Sequence, residues 1–245
     1  RPEEPYRFLD YFDLEHTTIF HGRQSACQAL LERIRAETHD SRLTLLHAPS
    51  GAGKTSLLRA GIVPDLFDAG DLPIYIHHPR EPVAAIKQTL LPTTPHPEKL
   101  AALPLRTFLN WTSQHLERAE TLVILLDQFE EFFVQLTPTQ QRPFVVGLAD
   151  CYPAEDLPVK FVLAMRRDYF SDMALFDGEL EQVFHNQYLL PALTRAEAER
   201  AITAPLDGAG VSWMPGAVET LLDYLDRGEI APPHLGKLAK EVRAL

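Results

Sequence analysis

Residues 43–58, LTLLHAPSGAGKTSLL, decide the fold, because an apolar run there empties into a glycine-rich turn that ends in Lys54 and Thr55. Against the pattern of a glycine, any four residues and then Gly-Lys-Ser/Thr, the match runs Ala48, Pro49, Ser50, Gly51, Ala52, Gly53, Lys54, Thr55, with alanine in place of the first glycine. A turn nearly free of side chains lets successive backbone N–H groups point inward at a polyphosphate. The positive end of the following helix adds to the attraction. Residues Ser50 to Ser56 frame this cradle. In it, lysine at position 54 reaches β- and γ-phosphates and the Thr55 hydroxyl ligates Mg²⁺. An ordinary glycine turn would account for Gly51 and Gly53, but it gives no reason for a lysine and a hydroxyl at these offsets.

Outward from that turn, continuous apolar character returns at 72–76, 121–126 and 159–165, and more weakly at 187–190. Runs without alternation suit strands covered on both faces, as in a parallel sheet. Helical stretches at 54–61, 98–119 and 138–150 are long enough for right-handed crossovers. Residues 23–38 place Ala26, Leu30, Leu31 and Ile34 at helical spacing ahead of the first strand. The expectation is an α/β fold, a central parallel sheet between helices. Beyond Pro191 strand character stops, and helical segments are expected at about 194–203, 215–227 and 233–244. The expected domains are a lead and helix over 1–40, a core over 41–193 and a small helical subdomain over 194–245. The 20 prolines concentrate in stretches such as 79–104, read as loop.

The second half of a phosphate site is expected in residues 121–133, TLVILLDQFEEFF. A buried strand has no structural need for an acid at its tip, yet Asp127 stands there. In a P-loop protein that strand delivers the aspartate next to Thr55, where it holds the Mg²⁺ through water. Glu130 and Glu131 follow where a base could polarise an attacking water. Glu131 is preferred and Glu130 is second, the alternative for one of them being an acidic helix start that complements the dipole. Gln128, next to Asp127, cannot take a proton. The run 160–167, KFVLAMRR, ends in Arg166 and Arg167 and is followed by Asp168. Arginine at the end of a neighbouring strand can sense the γ-phosphate. Arg166 is assigned that role; the alternative is a pair of surface arginines closing the strand, with Arg167 or Arg166 salt-bridged to Asp168, and it is preferred for Arg167.

Charge and composition narrow the partners. Over 245 residues, 34 acidic against 23 basic side chains give a net charge of −11, which opposes attraction to phosphate backbones. Direct contact with nucleic acid is therefore not expected. No run of eighteen apolar residues exists, and the first twenty residues lack a signal-peptide pattern, so the expectation is a cytoplasmic protein without a membrane partner. Cys27 and Cys151 have no metal-ligand spacing and read as reduced, half-buried side chains. His77 and His78 are adjacent in an extended run, where neighbouring side chains point opposite ways, so a metal site there is not expected. Both ends look cut, which suggests one piece of a longer polypeptide.

With these motifs in place, the chain resembles the novel STAND group of P-loop ATPases, relatives of the NACHT and apoptotic ATPases in the AAA+-like branch. The lead PYRFLDYFDLEHTTIFHGRQ resembles that group's opening signature of phenylalanine, any residue, Gly-Arg, here Phe20 to Arg23. APSGAGKTSLL resembles its Walker A, DQFEEFF its Walker B and AMRRDYF the strand that follows. IAPPHLGKLAKEV is similar to its proline-containing helix start. The resemblance implies an ATP- and Mg²⁺-dependent molecular switch that hydrolyses ATP, clamps shut on ADP and assembles into homo-oligomers with ATP. It implies that Phe20, Gly22 and Arg23 line the adenine and ribose side and that Pro233 or Pro232 closes it. Other domains of a longer chain, and a role in signalling or bacterial defence, are implied in the same way. Two other readings remain open: a scaffold that retains ADP with negligible hydrolysis, and a phosphotransferase on the same fold.

Overall fold

The computed structural model describes residues 11–93, 97–115, 121–154, 156–180, 183–206 and 213–225. Five strands, β1 (Leu43–Ala48), β2 (Leu72–His77), β3 (Leu122–Asp127), β4 (Val159–Arg166) and β5 (Gln187–Leu189), form a parallel sheet in the order β2-β3-β4-β1-β5. All six residues are buried in each of β1 and β3, and almost all of β4 is buried with them. That burial is the reason their sequences are continuously apolar rather than alternating. The edge strands β2 and β5 are only partly covered.

The helices are α1 (Gln24–Arg35), α2 over 54–68, α3 (Pro82–Leu90), α4 (Pro97–Ala101), α5 (Leu105–Gln114), α6 (Glu130–Gln135), α7 (Pro138–Cys151), α8 (Arg195–Thr203) and α9 (Ala217–Leu225). Within α2, a π-helical stretch at Leu57–Ile62 separates α-helical Lys54–Ser56 from Val63–Asp68. The stretch 79–104, expected as loop, contains α3 and α4. Pro82 opens α3 in its first turn, where a missing N–H costs nothing because that donor has no helical partner anyway. The single helix expected over 98–119 is divided between α4 and α5, and Pro104 stands at the N-cap of α5. The segment expected at 233–244 lies outside the described residues.

The chain divides into two compact units. One comprises the described parts of Arg1–Ala29, Pro49–Pro64 and Leu190–Leu245, the other Leu30–Ala48 and Asp65–Leu189. This grouping differs from the expected lead, core and helical subdomain, because the lead and the segment after Leu190 share a unit with the phosphate turn. The sheet unit is held by an apolar core in which Phe129, Phe132, Phe144 and Phe176 are fully buried and in mutual ring contact. Each such ring contributes on the order of 1.5–3 kcal/mol from burial.

In the other unit, Leu193, Ala198, Ile202 and Leu222 bring α8 and α9 together. There the lead forms a 3₁₀ turn at Leu14–Ile19, capped by Asp13. The Asp13 carboxylate also accepts from Arg59 Nε at 2.9 Å, and the Phe12 amide donates to Ser56 Oγ at 3.1 Å. Burial alone would raise the Asp13 pKa. The Leu14 amide and the Arg59 guanidinium outweigh it and hold the carboxyl below its ordinary value.

Candidate functional site

The phosphate turn begins as β1 ends. Gly51 and Gly53 take φ values of +77° and +92°, left-handed conformations that side chains resist, and Gly53 is the N-cap from which α2 starts at Lys54. Ser50 and Gly51 are exposed, Ala52 is buried and Thr55 is half-buried. The Lys54 side chain is 8% exposed and lies back over the turn, with Nζ 3.4 Å from the Pro49 carbonyl. The glycine turn thus carries a buried cation folded back across it, chemistry suited to an anionic ligand.

The three lead residues expected on the base side knit their own unit together. Phe20 is half-buried against Phe12, with ring centroids 5.6 Å apart. Gly22 has φ +83°, and a Cβ on it would stand 2.3 Å from the Glu197 carbonyl oxygen in α8. Arg23 is 4% exposed and donates from Nη1 to the Pro191 carbonyl at 2.8 Å and from Nη2 to the Ala52 carbonyl at 2.9 Å. One guanidinium therefore bonds both the phosphate turn and the start of the helical segment. Pro232 and Pro233 lie outside the described residues.

In the sheet unit, Asp127 ends β3 with no exposed surface, opposite His77 of β2 and Ala164 of β4 in register. Its Oδ2 accepts from the Tyr75 hydroxyl at 2.7 Å and lies 3.3 Å from His77 Nδ1, and its Oδ1 accepts from the Gln128 amide at 2.9 Å. The residues that follow this register pair, His78 and Gln128, have φ of +52° and +56° and are the two left-handed non-glycine residues among those described. Such backbone strain gathers at sites where it is held for a reason. The turn at Gln128 drops Phe129 into the aromatic core, where its amide bonds the Ala164 carbonyl at 2.8 Å. That anchor sets Glu130 and Glu131 in the first turn of α6.

The two glutamates then diverge. Glu130 Oε2 accepts from the Arg166 backbone amide at the tip of β4, at 3.2 Å, whereas Glu131 is bonded to Gln135 one turn along its own helix. Arg166 pairs with Asp168 through Nη2 and lies over the Tyr169 ring, 5.6 Å from its centroid. Of the two arginines left open as partners of Asp168, Arg166 makes the pairing. The Asp168 hydrogen bond raises the Arg166 pKa above its ordinary value, so the guanidinium stays charged. The reading of the sequence missed Tyr75 and His77 as partners of Asp127. Their spacing of two in a strand, which puts both on one face, was the available signal. Among the described residues no group of three or more histidine, cysteine, aspartate or glutamate side chains could hold a metal ion, and no helix is long and apolar enough to cross a membrane.

Solved structures share the fold. The Walker-type ATPase PABY2304 of Pyrococcus abyssi superposes with a TM-score of 0.66 at 14% identity, covering 96% of this chain and 71% of that one. The ORC2 protein of Aeropyrum pernix, in ADPNP and ADP complexes, gives 0.62 at 15% identity, covering 90% of this chain and 61% of that one. AMPPCP-bound DnaA from Aquifex aeolicus gives 0.52 at 17% identity, covering 97% and 67%. At these identities the likeness shows the fold alone. No curated protein sequence matches the chain significantly. The sequence profile described as Novel STAND NTPase 1 matches residues 5–239, which takes in the Phe20–Arg23 lead, the phosphate turn, Asp127 and the tip of β4. The chain thus belongs to the novel STAND NTPase 1 family and is a nucleotide-binding P-loop protein of that kind.

Proposed function

We propose that the chain is the ATP-hydrolysing switch module of a longer protein, cycling between an ADP-bound closed form and an ATP-bound form that self-associates in signalling or defence. One observation carries the reading: a wholly buried carboxylate, Asp127, ends the strand that lies two places in the sheet from β1, and β1 feeds the glycine turn. Strand spacing puts the ends of β1 and β3 roughly 10 Å apart, a distance that a metal-bound triphosphate can bridge. The nucleotide complexes of similar folds, with ADP in ORC2 and AMPPCP in DnaA, support adenine as the base.

The residues present fit Mg²⁺, since the Thr55 hydroxyl and the Asp127 carboxylate are hard oxygen donors. When bound, the ion supplies neutralisation of the phosphate charge. In this reading the amides of Gly51 to Thr55 orient the β- and γ-phosphates, and Lys54 stabilises charge that builds on the leaving oxygen. Glu130 takes the proton of the attacking water as its oxygen bonds the γ-phosphorus and the bond to the β-phosphate oxygen breaks, leaving ADP and inorganic phosphate. Glu130 is preferred to Glu131 because its carboxylate is held at the tip of β4 while Glu131 is engaged along α6. The expected result is phosphate release from ATP by the purified protein, reduced about 10²-fold or more in Glu130→Gln with nucleotide binding retained, and nearly normal in Glu131→Gln. Absence of phosphate release, together with unchanged nucleotide binding by Lys54→Ala, overturns the proposal.

A second reading is favoured by two features: Gln128 stands next to Asp127 where an acid could act, and Asp168 engages Arg166. On that reading the chain keeps ADP as a structural ligand. ADP recovered from the denatured protein, with no turnover of added ATP, supports it over the first.

A further inference from the structure

We infer that Tyr75 and His77 of the edge strand β2 are positioning residues for the metal-bound nucleotide, acting through the carboxylate of Asp127. The inference rests on the proposed role of Asp127 as a metal ligand.

Tyr75 and His77 are two apart in an extended strand, so both side chains stand on the face that carries Asp127, and His77 is its register partner. The Tyr75 hydroxyl donates to Oδ2 at 2.7 Å, His77 Nδ1 lies 3.3 Å from the same oxygen, and the two side chains meet at 3.2 Å. Just past the end of β2, the His78 amide donates to the Asp127 carbonyl at 3.1 Å. The left-handed His78 is the conformation that follows this closure. Asp127 is thus held at its carboxylate by β2 and at its backbone by the residue that follows β2.

A buried carboxylate must be hydrogen-bonded, and a packed protein could meet that need with any donor. Here the donors have a particular character. A phenol and a backbone amide are neutral, so they fix the plane of the carboxylate while leaving its negative charge in place for a cation. The Tyr75 hydroxyl on Oδ2 and the Gln128 amide on Oδ1, with the His77 ring packed 3.3 Å from Oδ2, also hold the group against rotation about its terminal bond. Partners of this kind behind a metal ligand are worth about 10–100-fold in metal affinity.

The experiment reads the magnesium gain, which is the ADP affinity in excess Mg²⁺ divided by the ADP affinity in EDTA. It is measured on the full chain by titration calorimetry, with melting of the nucleotide-free protein as the check of folding. Tyr75→Phe is expected to cut the gain about 10-fold or more while leaving the affinity in EDTA unchanged. His77→Ala is expected to lower it as well, and His77→Asn to restore it, because the asparagine amide can donate from nearly the position of Nδ1. A purely structural role would lower both affinities together. If the wild-type chain shows a gain that Tyr75→Phe and His77→Ala both retain, the inference is overturned and the metal-ligand reading of Asp127 stands. If the wild type shows no gain, both fall. Should Tyr75→Phe fail to fold, the contrast between His77→Ala and His77→Asn decides.

Discussion

At the scale of single residues, Gly22 shows how a motif glycine is used. Its φ of +83° costs a side chain about 1–2 kcal/mol, and an added Cβ would also stand 2.3 Å from Glu197 O and 3.0 Å from Ala201 Cβ. Gly22→Ala is therefore expected to destabilise the protein by more than that strain alone, lowering the melting temperature by roughly 2–4 °C for each kcal/mol. A melting temperature equal to the wild type's would show that α8 gives way without cost. The family resemblance implies a base-side position for this residue, and its environment shows a duty in helix packing. The same holds for Ser56, framed in the cradle by sequence and bonded by Phe12.

At the scale of elements, the lead ties the phosphate turn to the segment that leads into α8, two stretches distant in sequence. Arg23 is the tie, with one nitrogen on Ala52 in the phosphate turn and another on Pro191. Charge-assisted hydrogen bonds contribute about 1.5–3 kcal/mol each, and Arg23→Ala leaves two carbonyls without that donor. The expected outcome is a lower melting temperature together with about 10-fold weaker ADP binding, measured side by side, since the turn loses one of its supports. Arg23→Lys is not expected to restore it, because one ammonium lacks the fork that spans two carbonyls. Normal ADP binding by Arg23→Ala would show that the turn holds its shape unaided.

Across the whole molecule, the buried cysteines report the integrity of the core. Burial pushes the Cys151 thiol up to about 12 from an ordinary 9.0. The raised value keeps the folded thiol protonated. Its contribution is fully present below about pH 9 and is lost as the pH climbs toward 12, because the unfolded chain releases the proton first. Cys151 is expected to resist alkylation at pH 8 in native protein and to react on unfolding in denaturant, with mass spectrometry as the readout. Rapid native labelling would mean that the helix carrying it opens locally.

What the sequence determined by itself is local in cause: Gly51 and Gly53 demand a turn that backbone amides can line, and unbroken apolar runs demand strands buried on both faces. Asp127 at the tip of such a run stands out because an acid there has no packing purpose. Proline misled the reading of 79–104, since a proline that breaks a helix interior also opens a helix well, and only the neighbours decide which. Tertiary structure alone decided which side chains meet. Tyr75 lies 52 residues from Asp127, Arg23 lies 168 from Pro191, and Glu130 meets Arg166 across 36. Those pairings follow from sheet order and helix packing, and no periodicity within a segment encodes them.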